Sequence, residues 1–216
     1  MVKIYKNFNI QKKFKNSIIL IGNFDGVHKG HQKLFKKALK FKKKLRSKLG
    51  VITFDPIPKM FFKNLKNYRI SNIDQKINLF TKLGVDFVVN KNFNRAFSKI
   101  SCFDFIEKSI YQRLSAKYIF VSNNFKFGNK RLGDVNLLKS LEKNYQYKII
   151  NPSPFKYKKR IISSTLIRKY IEKGNVEKVK KILGRNWEII GKVERGRSLG
   201  KKIGFPTCNI DIKNYK

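Results

Sequence analysis

The strongest constraint on this fold is a rhythm. Short apolar runs of β type recur, and each is followed by a segment with helical spacing. The first run is "SIILIG" (17–22); after a glycine-bearing loop, Leu34, Ala38, Phe41, Leu45 and Leu49 step by three and four. The run reads as a buried strand, and 31–48 as an amphipathic helix. The pattern repeats with "GVITF" (50–54) and the helix 73–84 ended by Gly84, then "DFVVN" (86–90) and the helix 103–114. "KYIFVS" (117–122), the helix 134–145 and "YKII" (147–150) complete the series. Strands alternating with helices require a parallel sheet covered on both faces. Right-handed crossovers make it doubly wound. Ligands of such sheets bind beyond the carboxyl ends of the strands, near the switch in strand order.

Past the Pro-interrupted loop 151–155, two short helices are expected at 164–173 and 176–183, stopped by Gly174 and Gly184. From Trp187 the pattern changes. Gly191, Gly196, Gly200 and Gly204 punctuate short β-prone runs, the mark of barrel hairpins. A domain boundary is therefore set near 184–186, giving units 1–184 and 185–216.

The charge is extreme: 51 Lys and Arg against 13 Asp and Glu, formally +38. Such a field attracts polyanions. Alanine, however, occurs only at Ala38, Ala96 and Ala116, while Lys, Asn, Ile, Phe and Tyr abound. That balance reads as a coding bias that scatters lysines over solvated faces, with nucleic acid bound only non-specifically through charge. Two cysteines, Cys102 and Cys208, make neither a disulfide framework nor a metal spacing. No apolar run is long enough for a membrane span or signal peptide, so the expected compartment is the reducing cytoplasm.

Both histidines of the chain, His28 and His31, lie in the loop between the first strand and its helix. A glycine-rich junction of this kind cradles phosphate, because free backbone N–H groups and the positive helix end face the ligand. Gly22, Gly26 and Gly30 let the backbone turn tightly and approach an anion. His28 and His31, as i, i+3 neighbours, can point the same way and donate to a transferring phosphoryl centre. The chemistry implied is phosphoryl or nucleotidyl transfer, which needs positioning and charge stabilisation more than a covalent nucleophile.

"GNFDGVHKGH" resembles the first signature of the bacterial FAD synthetases, the bifunctional riboflavin kinase/FMN adenylyltransferases, with His28-Lys29-Gly30-His31 as the nucleotidyltransferase H-x-G-H motif. Four further segments resemble that family in order: "TFDPIP" (53–58) near the flavin, "SNNFKFG" (122–128), "ISSTLIR" (162–168), and "GKVERGRSLGKKIGFPTCNI" (191–210) at the opening of the kinase barrel. The resemblance implies a Rossmann-like, nucleotidyltransferase-type doubly wound sheet followed by a partial β-barrel segment. It also implies AMP transfer from ATP to FMN, with Mg²⁺ expected. His28, His31 and Arg168 are expected to be catalytic. Gly22, Phe24, Asp25, Gly26, Gly30, Asn124, Ser163, Ser164 and Thr165 are assigned to ATP, and Phe54, Pro58 and Phe62 to the flavin. Gly204, Pro206, Thr207 and Asn209 are assigned to ATP and Mg²⁺ of the kinase. No metal ligand is assigned in the first unit.

The second signature has its own physics. Ser163 or Ser164 can cap the following helix. Thr165 and Arg168 then share its first turn, where Arg168 offers a forked cation for the β- and γ-phosphates. Three residues depart from the family: Ile57 replaces a histidine, Ser122 a glycine and Lys201 an arginine. The chain stops at Lys216, short of the barrel carboxylate that activates the riboflavin hydroxyl, so kinase activity is expected to be absent. Three readings stay open: a piece of a fully bifunctional protein, another H-x-G-H nucleotidyltransferase, and a basic nucleic-acid binder with decayed catalysis.

Overall fold

The computed structural model describes residues 2–157, 160–194, 196, 199–212 and 215–216. The chain begins with β1 (Lys3–Tyr5) and β2 (Ile18–Ile21), then α1 (Lys29–Leu45), β3 (Leu49–Asp55), α2 (Pro58–Lys63) and α3 (Ile73–Lys82). After β4 (Phe87–Asn92) come α4 (Arg95–Ser98), α5 (Cys102–Asp104), which runs directly into a π-helical stretch (Phe105–Arg113), and β5 (Tyr118–Phe120). The hairpin of β6 (Lys126–Phe127) and β7 (Gly133–Asp134) leads to α6 (Val135–Ser140) and β8 (Lys148–Ile150). A second hairpin, β9 (Lys156–Tyr157) and β10 (Arg160–Ile161), precedes α7 (Ser164–Glu172) and α8 (Val176–Leu183). Last are β11 (Val193–Glu194), α9 (Leu199–Lys202) and β12 (Asn209–Ile210), with β11 antiparallel to β12.

Six strands form one parallel sheet in the order β1-β4-β3-β2-β5-β8. From β2 the chain builds outward through β3 and β4, then crosses back to place β5 on the other side of β2. The carboxyl end of β2 is therefore the switch point, where neighbouring crossovers part and leave a crevice. The loop carrying both histidines leaves the sheet there.

Alternation along β2 divides the core. Ile18 and Leu20 face the side covered by α1 and α3, with Leu34, Phe35, Ala38 and Phe80. Ile19 and Ile21 face the π-helical stretch and α6, with Ile106, Ile110 and Leu138. Each strand residue thus contributes to one layer only, as the two-residue period requires. Gly50 in β3 has a steric role: a Cβ there would lie 2.2 Å from the Phe87 ring on β4. A third cluster joins Ile70 and Ile162 to Ile167, Val179, Ile182 and Leu183 of α7 and α8.

Several expected boundaries shift. Helix α1 starts at Lys29 because His28 caps it, and it ends where Arg46 turns left-handed (φ +47°), so Leu49 belongs to β3 rather than to the helix. The helix expected over 103–114 is largely π-helical, and the one expected over 134–145 stops at Ser140. Helix α2 is additional to the expected helices.

Candidate active site

The N–H of His31 reaches back to Nδ1 of His28 at 3.3 Å, so His28 caps α1 with its own ring. The two imidazoles stack, with ring centroids 3.6 Å apart and planes 18° from parallel. Gly30 makes this possible: a Cβ there would lie 3.1 Å from the His28 ring. The spacing H-x-G-H is thus one turn of helix with the intervening residue shaved to admit a ring. Non-glycine residues in the loop carry strain, since Phe24 (φ +47°) and Val27 (φ +38°) are left-handed; such outliers persist where surrounding structure over-determines them.

Both rings are neutral at neutral pH. Burial lowers His28 to about 4, with the charges of Arg168 and Arg185 acting in the same direction. Burial also holds His31 well below the usual imidazole range, helped by His28 and Lys76. Because Nδ1 of His28 accepts a hydrogen bond, its proton sits on Nε2, which is the donor available to a ligand.

The second signature reaches this loop. Ser163 caps α7 by accepting from the Leu166 N–H at 3.2 Å, and the Ser164 hydroxyl donates to the Asp25 carbonyl at 2.9 Å. Arg168 donates to the Asp25 carboxylate and, through Nε, to the Tyr68 carbonyl at 2.7 Å; its guanidinium stacks 3.6 Å above the Tyr68 ring. Asp25 also accepts from the Ile70 and Ser71 N–H groups at 3.1 and 3.2 Å. Asp25 is thus buried in an ion pair, and Arg168 clamps the β2 loop to the loop before α3. Phe24 is 3% exposed and plugs the core behind His31, against Phe35 and Phe80. Thr165 is exposed on the first turn of α7.

Asn124 lies exposed beyond the carboxyl end of β5, the strand beside β2. Ser122, which replaces the family's glycine, donates its hydroxyl to Asn124 Oδ1 at 2.9 Å and so orients that side chain. On the other side of β2, beyond β3, Phe54, Phe61 and Phe62 gather around Phe93, with ring centroids 5.5–6.2 Å from it. Phe62 is 65% exposed, Pro58 opens α2 half-buried, and Ile57 caps α2 while buried. The cluster makes an apolar shelf next to the histidine crevice.

Residues 10–166 match the family model described as FAD synthetase, and 183–216 match the one described as riboflavin kinase. The chain belongs to the FAD synthetase family. This family member is 39% identical, over 95% of its length, to the bifunctional riboflavin kinase/FMN adenylyltransferase of Buchnera aphidicola subsp. Schizaphis graminum, of which it covers 66%. Against the proteins of the same name from Haemophilus influenzae and Escherichia coli K12 the identity is 32%, with 67% and 63% of those proteins covered. The chain thus spans about two thirds of the length of these relatives. Its fold superposes on a crystal structure named as a macrolide-efflux protein from Streptococcus pneumoniae with a TM-score of 0.79 at 30% identity, covering 97% of this chain and 68% of that one. A pantoate-β-alanine ligase from Francisella tularensis shares the fold at a TM-score of 0.51 and 15% identity, over 92% and 91% of the two chains. Among the described residues no helix is long and apolar enough to cross a membrane.

Two cations and one aromatic ring near this loop escaped the sequence reading. Arg185 donates to the Gly26 carbonyl at 2.9 Å, leaves Nη1 buried without a partner, and bears on His28. Lys76 is buried beneath the loop. Phe93 completes the shelf. For Lys76 a signal existed: it stands one turn before Phe80 on the buried face of α3. Arg185 and Phe93 are brought in by tertiary contacts alone. The kinase-assigned Gly204, Pro206, Thr207 and Asn209 are all exposed, and the Lys201 side chain lies outside the described residues. No group of three or more His, Cys, Asp or Glu that could hold a metal occurs among the described residues.

Proposed function

We propose that this chain adenylylates FMN: ATP and FMN give FAD and pyrophosphate. An FMN phosphate oxygen attacks the α-phosphorus of ATP, the bond to the bridging α,β oxygen breaks, and pyrophosphate leaves with that electron pair. The stacked His28–His31 pair carries this reading. Two neutral imidazoles at the start of α1, on the switch point of the sheet, supply donors for charge that grows on the transferring phosphate. The helix end and loop N–H groups add to the same field. Gly22, Gly26 and Gly30 admit the phosphate chain, while Asn124, held by Ser122, orients the nucleotide. Ser163, Ser164 and Thr165 line the side where pyrophosphate departs, and Arg168 holds that wall in place through Asp25.

The Phe54, Phe62 and Phe93 shelf with Pro58 supports a flat isoalloxazine ring, which needs apolar walls. The buried carboxylate of Asp25 is already paired with Arg168, and the half-buried one of Asp55 with Arg69. The protein residues therefore do not fit a Mg²⁺ cage, and Mg²⁺ arrives as part of the substrate MgATP, on the phosphates. We assign the reaction to residues 1–184 and the start of a kinase unit to 185–216, in the cytoplasm, where both cysteines stay free. Chromatography of FMN plus MgATP incubated with the chain tests this: FAD and pyrophosphate should appear together. If AMP passes to another acceptor, or none is transferred, the reading is wrong.

A further inference from the structure

Beneath the histidine loop lies a cation that neither signature uses. Lys76 is 2% exposed. Its Nζ sits 3.3 Å from the Asn23 carbonyl and 3.2 Å from Thr53 Oγ1, and Thr53 in turn donates to the same carbonyl at 3.2 Å. Asn23 is the second residue after β2, and Thr53 lies in β3 near its carboxyl end. The ammonium is therefore lodged under the crevice where the two central strands end. Helix α3 forces it there, because Phe80 one turn later is fully buried on the same face.

Charge balance makes the position informative. Three charged groups act on this point: Asp25, Asp55 and Arg69. Asp25 pairs with Arg168, and Asp55 with Arg69 at 2.5 Å. Lys76 has no carboxylate within ion-pair distance among the described residues. An unpaired buried cation is strongly disfavoured, and a residue serving packing alone would be better replaced by a methionine. A missing counter-charge directly under a phosphate cradle points to the ligand as its source.

We propose that Lys76 is a positioning residue for adenylyl transfer, fixing the Gly22–Asn23 turn from below and supplying positive charge that the incoming phosphate chain neutralises. This rests on the function proposed above. It is supported by the protonation pattern: burial lowers Lys76 to about 8, against the pull of Asp25 and Asp55 and with the push of Arg69. The ammonium in turn helps keep His31 neutral. Lys76 is thus charged below about pH 8 and loses its charge above. The fold gains from that loss: the unfolded chain holds this proton up to about 10.5, so between the two values the Lys76 contribution to stability rises with pH. Activity and stability should therefore move in opposite directions across that window.

The test compares the full-length wild type with Lys76→Met and Lys76→Arg. FAD formation is followed from about pH 6 to about pH 10, with thermal melting and with calorimetric binding of a non-hydrolysable ATP analogue. Wild-type kcat should fall above about pH 8 while the protein stays folded. Lys76→Met should melt no lower than wild type yet lose about tenfold in kcat and bind the analogue more weakly, a smaller loss than the roughly 10²-fold of a direct donor. Its profile should lack the alkaline limb, and Lys76→Arg, permanently charged, should displace it upward. Should Lys76→Met fail to fold, the wild-type and Lys76→Arg profiles decide: a limb at the same pH in both overturns the proposal. So does analogue affinity and turnover in Lys76→Met within about twofold of wild type. A wild type that makes no FAD refutes the proposed function instead, and analogue binding by the variants then judges Lys76 on its own.

Discussion

Residues up to Leu183 and residues 189–212 draw on the same apolar vocabulary with opposite results. In the first region Phe87 and Phe120 are fully buried, and every residue of β2 is buried. In the second, Phe205 is 75% exposed, Ile203 72% and Val193 63%. The difference is partners. A six-stranded sheet gives each inward side chain a helix to meet. Among the described residues the β11–β12 pair has two strands and no second layer, and two-stranded ribbons are marginal in water. At the ends of the second region, Trp187 packs on the third apolar cluster and donates to the Ile70 carbonyl at 2.9 Å, Gln75 donates to the Glu188 carbonyl at 2.9 Å, and Tyr215 to Gln75 at 2.8 Å.

The widest contrast should be in chemistry. With riboflavin and ATP, this 216-residue chain should yield no detectable FMN, while FMN and ATP yield FAD; one assay fed with each flavin shows whether the exposed region carries a working site. Next is the clamp that organises the first region. Asp25→Ala leaves Arg168 charged and buried without its carboxylate, which should cost about 3–5 kcal/mol of stability. A urea melt reads this, and adding Arg168→Met should recover much of it. Loss of a donor at the reacting phosphate follows. His28→Asn keeps a good helix cap and removes the ring. It should melt near wild type yet turn over about 10²-fold more slowly, as should His31→Ala. Rates near normal in either variant would break the mechanism.

Acid should loosen the first region selectively. His28 titrates at about 4 in the fold against 6.5 when unfolded, so the unfolded chain binds the extra proton first. Stability falls as pH drops from about 6.5 towards 4, by about 3 kcal/mol from His28, with His31 acting in the same sense. Melting temperatures across that range check the slope, which His28→Asn should flatten. The smallest effect belongs to the exposed tail. Limited trypsin should cut first within 192–202, and the nicked chain should keep FAD formation within about twofold.

Much of this molecule is legible in its sequence. The two-residue alternation within β2 and the three-four spacing of α1 are set by backbone geometry, so strand, helix and their order follow from apolar periodicity. The H-x-G-H loop is equally local: one helical turn brings His31 beneath His28, and a glycine between them clears the ring. Side-chain identity alone could not say where a charge goes once the chain is folded. Arg168 and Asp25 are 143 positions apart, so the pairing that makes Arg168 a clamp exists only when α7 meets the β2 loop. Lys76, Arg185 and Phe93 enter the site in the same way, carried by packing of helices and loops that periodicity cannot orient in space. Local order came from the sequence because it depends on near neighbours. The balance of buried charge was decided by the tertiary structure, because it depends on which distant groups share one low-dielectric crevice.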